Sequence, residues 1–268
     1  MKRRDVVILD LDGTLVDERG AVDEAFLAAA RVVQDQAGVE ANRFARTARV
    51  AAQRLWWKAT WIDPLSDAFG ISAWDGLSED FTNAVPALDR LRAWLPSYRQ
   101  AAWRLALGTV GVADTVLAEA ASSAYRQCRH QDVRLLPGAT DLVGTLVHDR
   151  RLVLLTNGPG DGQRRKVESS GLLGLVPDVV ISTEVGFAKP DRRAVSLAIE
   201  RVGGQADTAI MIGDTYDRDV LGALNCDVPA IWITGPVRPE HPAHPLVSPV
   251  LSTAEVLPVL HALENGGA

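Results

Sequence analysis

The stretch Val6-Val7-Ile8-Leu9-Asp10-Leu11-Asp12-Gly13-Thr14-Leu15 sets four apolar residues directly before two aspartates and a glycine. An unbroken apolar run, rather than an alternating one, predicts a strand covered on both faces, as in a parallel sheet. The two acids then stand at its end. Four more runs of this kind follow, at 152–155, 179–181, 209–212 and 230–233. Helix-like stretches lie between them, such as 163–170 and 192–202, and a last helix is expected after Ser252 or Thr253 as N-cap, running through Leu263. This alternation predicts an α/β fold built on a doubly wound, Rossmann-like parallel sheet. No element is predicted across the Pro-rich stretch 236–249.

Working outward, the spacing of the first two strands is anomalous. About 140 residues separate Leu9 from Leu152, where one crossover helix would suffice. The extra sequence is helical in pattern and rich in alanine, at 23–37, 42–61, 85–107 and 113–128, with breaks expected at Pro64, Gly70, Pro96 and Gly108. Six of the seven tryptophans fall in it: Trp56, Trp57, Trp61, Trp74, Trp94 and Trp103. A segment of about 110 residues can bury a core of its own. The expected organisation is a catalytic core of residues 1–19 and 136–268, interrupted by a helical domain over 20–135.

Charge divides along the same line. The chain of 268 residues carries 28 Lys and Arg against 34 Asp and Glu, a net −6. Residues 23–134 hold 13 basic and 13 acidic residues, so the remaining 15 and 21 carry the whole excess. An acidic balance argues against a nucleic-acid partner, since phosphate backbones are gripped by clustered Lys and Arg. No apolar run is long enough to cross a bilayer, and Met1-Lys2-Arg3-Arg4-Asp5 leads straight into the first strand, so a cytoplasmic protein without membrane association is expected. Cys128 and Cys226 stand far apart, which supports neither a disulfide framework nor a zinc site.

In open parallel sheets, ligands bind outside the carboxyl ends of the strands. Just after the strands come Asp10-Leu11-Asp12-Gly13-Thr14-Leu15, Thr156-Asn157-Gly158 and Gly213-Asp214-Thr215-Tyr216-Asp217-Arg218-Asp219, and before a later helix comes Gly186-Phe187-Ala188-Lys189-Pro190-Asp191. In chain order they resemble the four motifs of the haloacid dehalogenase (HAD) superfamily of hydrolases, and the helical insert sits where that superfamily carries its type 1 cap. Within it, Thr156-Asn157-Gly158-Pro159 with Gln163, Lys166 and Gly171-Leu172 resembles the N-acylneuraminate 9-phosphate phosphatase and pyrimidine nucleotidase branch.

The resemblance implies roles residue by residue. Asp10 would be nucleophile and metal ligand. Asp12 would be general acid and base, its backbone carbonyl also touching the metal. Thr156, with Asn157 after it, would hold phosphoryl oxygens, and Lys189 would neutralise charge on Asp10 and the phosphate. Asp214 would be the third protein ligand, with Asp219 behind it; Asp217 is the weaker candidate by spacing, and Arg218 stands where many relatives have Asn. Elementary electrostatics agrees, because neighbouring carboxylates repel unless a cation joins them, and an all-oxygen set suits Mg2+.

Asp12 also selects among reactions. Dehalogenases of the superfamily lack this second aspartate, because a halide leaving group needs no proton; its presence favours hydrolysis of a small phosphomonoester through an aspartyl-phosphate. A phosphomutase or other phosphoryl transferase on the same residues is the alternative, ahead of a dehalogenase or a silent binding protein. In the insert, Arg43, Arg46, Arg54 and Lys58 fall within about 120° on one helix. A solvated face is the favoured reading for them, and core packing for the nearby tryptophans.

Overall fold

The computed structural model describes residues 3–131, 133–236 and 240–266. Its sheet has six parallel strands, β1 (Val6–Leu9), β2 (Arg151–Thr156), β3 (Asp178–Ile181), β4 (Ala209–Gly213), β5 (Ala230–Ile233) and β6 (Val247–Val250), in the order β3-β2-β1-β4-β5-β6. β1 is central and buried along its whole length, with Leu9 in register with Leu154 on one side and Ile212 on the other. The chain winds outward through β2 and β3, then returns to β4 beside β1. The strand order therefore reverses between β1 and β4, and their carboxyl ends flank the crevice that such a reversal opens. Asp10 extends the pairing by one residue, its N–H donating to Ile212 O at 2.9 Å.

The sixth strand corrects the sequence reading. β6 overlaps the end of the proline-rich stretch; residues 237–239 of that stretch lie outside the described residues. Pro249 is tolerated because β6 is the edge strand, where one face of the backbone has no partner to lose.

Twelve helices accompany the sheet among the described residues. Between β1 and β2 run α1 (Glu18–Ala37), α2 (Ala41–Lys58), α3 (Asp63–Phe69), α4 (Ala73–Ser78), α5 (Asp89–Thr109), α6 (Thr115–Gln131) and α7 (Ala139–Leu146). After β2 come α8 (Gly160–Ser169), α9 (Ser182–Val185), α10 (Arg192–Arg201), α11 (Leu221–Leu224) and α12 (Val256–Asn265). The chain forms two compact units. One comprises Met1–Asp17, Arg134–Asn157 and Lys166–Ala268; the other comprises Glu18–Val133 and Gly158–Arg165.

In the helical unit, Ala25, Phe26, Ala29, Ala30 and Val33 form one stripe of α1, and Leu117, Ala118, Ala121 and Tyr125 form one of α6. Alanine at these positions lets the two helices approach closely, and Phe26, Tyr125 and Trp103 fill the space beside them, Phe26 and Tyr125 with ring centres 4.8 Å apart. Neither Pro96 nor Gly108 breaks α5. Pro96 lies on the exposed side, where the carbonyl one turn earlier can turn to water. Pro64 starts a helix rather than ending one, in the first turn of α3. Of the tryptophans expected in the core, Trp56 is fully buried, whereas Trp57 is 48% exposed; Arg43, Arg46, Arg54 and Lys58 are all exposed.

The sheet unit holds both ends of the long insertion. Asp17 N–H donates to Arg134 O at 2.9 Å, Leu136 N–H donates to Leu15 O at 2.8 Å, and Val16 bridges Leu135. The outgoing and returning chains are thus zipped together before the helices begin. This makes the insertion an excursion from a closed base, at little cost to the sheet.

Candidate functional site

At the reversal point, Asp10 follows β1 and Asp214 follows β4. Beyond Asp214 a single π-helical turn, Tyr216–Val220, directs Asp219 back towards Gly213. Carboxylate oxygens of Asp10, Asp214 and Asp219 lie within 4.8 Å of one another. Lys189 enters the group from below, its Nζ 2.5 Å from Asp10 Oδ1 and 2.7 Å from Asp219 Oδ1, with only 2% of its side chain exposed. Asp219 Oδ2 accepts the Thr215 N–H at 2.9 Å, so both its oxygens are engaged by protein. Trp232, in β5, donates its indole N–H to Asp214 O at 2.9 Å and fixes that turn.

Gly13 lies close against this cluster. It has φ of +83°, and a Cβ there would run into the Asp214 carboxylate, so glycine answers both conformation and space. Lys189 is itself held by Asn157 through a reciprocal pair: Lys189 N–H donates to Asn157 Oδ1 and Asn157 Nδ2 donates to Lys189 O, each at 3.0 Å. Arg218 adds a bond to the same carbonyl at 3.3 Å, and the Lys189–Pro190 peptide is cis. Thr156, the last residue of β2, is buried, with its hydroxyl 3.3 Å from Asn157 O. Asp217 is exposed and outside the cluster.

Asp12 faces a different partner. Both its carboxylate oxygens accept from Lys166 Nζ, at 2.8 and 2.9 Å, and Lys166 projects from α8 with 10% of its side chain exposed. Of the chain's four lysines, these two are buried beside carboxylates at the strand ends. The sequence singled out Lys189 for such a place. It quoted Lys166 only as part of a resemblance, and nothing in spacing alone joins residue 166 to residue 12.

Burial sets the electrostatics. It raises the Asp10 carboxyl to about 6, against the pull of Lys189 and with a further push from Asp219. Burial, then the charges of Asp10 and Asp219, raise Asp214 to about 8. Lys189 is buried too, yet Asp10 and Asp219 hold it firmly protonated. One ammonium among three carboxylates leaves a surplus of negative charge, and the donor set is all oxygen. Those are the conditions that a hard divalent cation satisfies, so the acidic cluster could hold a metal.

A family model for haloacid dehalogenase-like hydrolases matches residues 4–227. The chain belongs to this family. This HAD-like hydrolase is 35% identical over 245 residues to the phosphoserine phosphatase of Thermus thermophilus, covering 88% of its own length and 91% of that protein. It is 25% identical over 263 residues to the N-acylneuraminate-9-phosphatase of Mus musculus, covering 97% and 94%. Such relatives place it in the phosphatase branch of the family. Among solved structures, the HAD-hydrolase YfnB of Bacillus subtilis, bound to magnesium, aligns with a TM-score of 0.64 at 22% identity over 97% of this chain and 99% of that one, which shows a common fold. No described helix of the HAD-like hydrolase is long and apolar enough to cross a membrane.

Proposed function

We propose that the chain is a Mg2+-dependent phosphatase that hydrolyses a small phosphomonoester through an aspartyl-phosphate on Asp10. The observation that carries this reading is the separation of the two strand-end aspartates. Asp10 sits in the acidic cluster against Lys189, whereas Asp12 is held apart on Lys166. A nucleophile and an acid need that division of labour.

Asp10 and Asp214, with the carbonyl of Asp12, would hold the cation, while Asp219 is committed to Lys189 and Thr215. Mg2+ bound there would draw charge from the phosphoryl oxygens and offset their repulsion by the carboxylates. Asp10 attacks phosphorus, and the electron pair of the breaking P–O bond goes to the leaving oxygen. Asp12, protonated when the substrate binds, gives that oxygen its proton and becomes the carboxylate that accepts from Lys166, then takes a proton from the water that attacks the aspartyl-phosphate. Thr156 and the backbone N–H of Asn157 would bind phosphoryl oxygens, and Lys189 keeps a positive charge on the Asp10 side throughout. The helical unit, residues 20–135 in the sequence reading, would be the type 1 cap of the family.

Names of the relatives support a small phosphorylated metabolite as substrate, and phosphoserine and N-acylneuraminate 9-phosphate are the first two to test. The experiment is release of inorganic phosphate by purified protein, with Mg2+ and with chelator. Wild type should turn over only with the metal, and Asp10→Asn should lose at least about a thousandfold, as expected for a nucleophile. Equal turnover by Asp10→Asn would overturn the reading.

A further inference from the structure

Lys166 lies outside the four motifs, yet its ammonium straddles both oxygens of Asp12 at 2.8 and 2.9 Å. We propose that Lys166 is a positioning residue that sets the direction of the Asp12 carboxylate for proton transfer to the leaving group; this rests on the acid–base reading of Asp12 above.

Three observations lead to it. Residue 166 is a lysine in a chain that otherwise uses arginine, with four Lys against 24 Arg. A compact ammonium on a flexible stem meets both oxygens of one carboxylate as a point charge, whereas a guanidinium would engage them through a planar fork and impose its own plane on them. The lysine is also anchored. Its residue is 8% exposed, and it lies on the inner face of α8 beside Val167, 1% exposed. Lys166 belongs to the same compact unit as Asp10 and Asp12, so the ammonium is referred to the sheet that carries them. Finally, Asp12 retains access: its side chain is 25% exposed, against 8% for Asp10. A half-open carboxylate at the end of a short turn has several rotamers, and proton transfer needs one of them.

General acid catalysis matters in proportion to the basicity of the leaving group, which gives a readout that a merely structural role would not move. The probes are phenyl phosphate, 4-nitrophenyl phosphate and 2,4-dinitrophenyl phosphate, and the quantity is kcat/KM, which reports steps up to expulsion of the leaving group. Lys166→Met should lose roughly tenfold or more on phenyl phosphate and less than about threefold on 2,4-dinitrophenyl phosphate. Lys166→Arg, which keeps the charge in a different shape, should fall between wild type and Lys166→Met on phenyl phosphate. Asp12→Asn sets the scale with a steeper version of the same gradient. A uniform loss, or none, along the series in both Lys166 variants while Asp12→Asn is graded overturns the positioning role alone. A uniform response in Asp12→Asn overturns the acid–base reading, and the proposal with it.

Discussion

Asp214 shows most directly what the residues of the site demand. Its carboxyl is raised from 3.8 to about 8, first by burial and then by Asp10 and Asp219. A carboxyl with a raised folded value binds its proton more tightly in the folded chain, so stability from this group falls as pH rises from 3.8 towards 8. A cation that binds only the folded chain reverses the loss, by about 2.7 kcal/mol at a hundredfold excess over its Kd. Thermal unfolding of the metal-free protein should therefore show Tm rising by several degrees on adding Mg2+ near pH 7.5. In Asp214→Asn the metal-free Tm should equal or exceed that of wild type, and Mg2+ should have little effect. A variant that kept the full response to Mg2+ would show that the cation binds elsewhere.

At the level of elements, α12 returns the end of the described chain to its beginning. Glu264 accepts from Arg150 at 2.5 and 3.0 Å and from the Arg4 N–H at 2.7 Å, joining α12 to the entries of β1 and β2. Arg150 is 6% exposed in its side chain and also reaches Asp149 Oδ1 at 3.3 Å and Arg4 O at 2.6 Å, so removing the Glu264 charge leaves it with weaker partners rather than none. Glu264→Gln should cost about 1 kcal/mol, below the roughly 3–5 kcal/mol of a broken fully buried pair because Arg150 keeps its other partners and Glu264 some access to water, and should lower the Tm of the sheet unit. An unchanged Tm would mean that water replaces the carboxylate at no cost. This element also shows where the sequence was legible. Continuous apolar runs disclosed the first five strands and alternation of such runs with helix-like stretches disclosed the helices between them, because burial on both faces or on one leaves its pattern in the chain. β6 has no such pattern: Ser248 and Pro249 interrupt it, and its place is fixed by pairing with β5 rather than by its own residues. The acids could be located because they follow strands, and Lys189 because it stands in a motif that precedes a helix. The Lys166–Asp12 pair could not, because it depends on which face of α8 turns inward.

Across the whole molecule, the two units differ in what reports on them. Six of the seven tryptophans lie between residues 56 and 103, and only Trp232 belongs to the sheet, so intrinsic fluorescence reads the helical unit while phosphate release reads the sheet. Acid should act on the helical unit through Glu79. Burial alone would raise this carboxyl, but His130, with Nε2 3.6 Å from Oε1, and the charge and hydrogen bond of Arg165 outweigh it and lower the group from 4.5 to about 2. Arg165 belongs to the same unit, as does Asp161, which accepts the Asp80 N–H at 2.8 Å. A depressed folded value means that the stabilisation is complete above the unfolded value and drains away as pH falls from 4.5 to about 2. At about 1.4 kcal/mol per pH unit, that interval amounts to about 3 kcal/mol. Urea unfolding followed by tryptophan fluorescence should then find Glu79→Gln less stable than wild type by about this much at pH 7. The gap should close as the pH approaches 2, because wild type loses what the variant never had. A gap that stayed constant with pH would assign the cost of the substitution to packing around residue 79 and remove its carboxylate from the acid response of the helical unit.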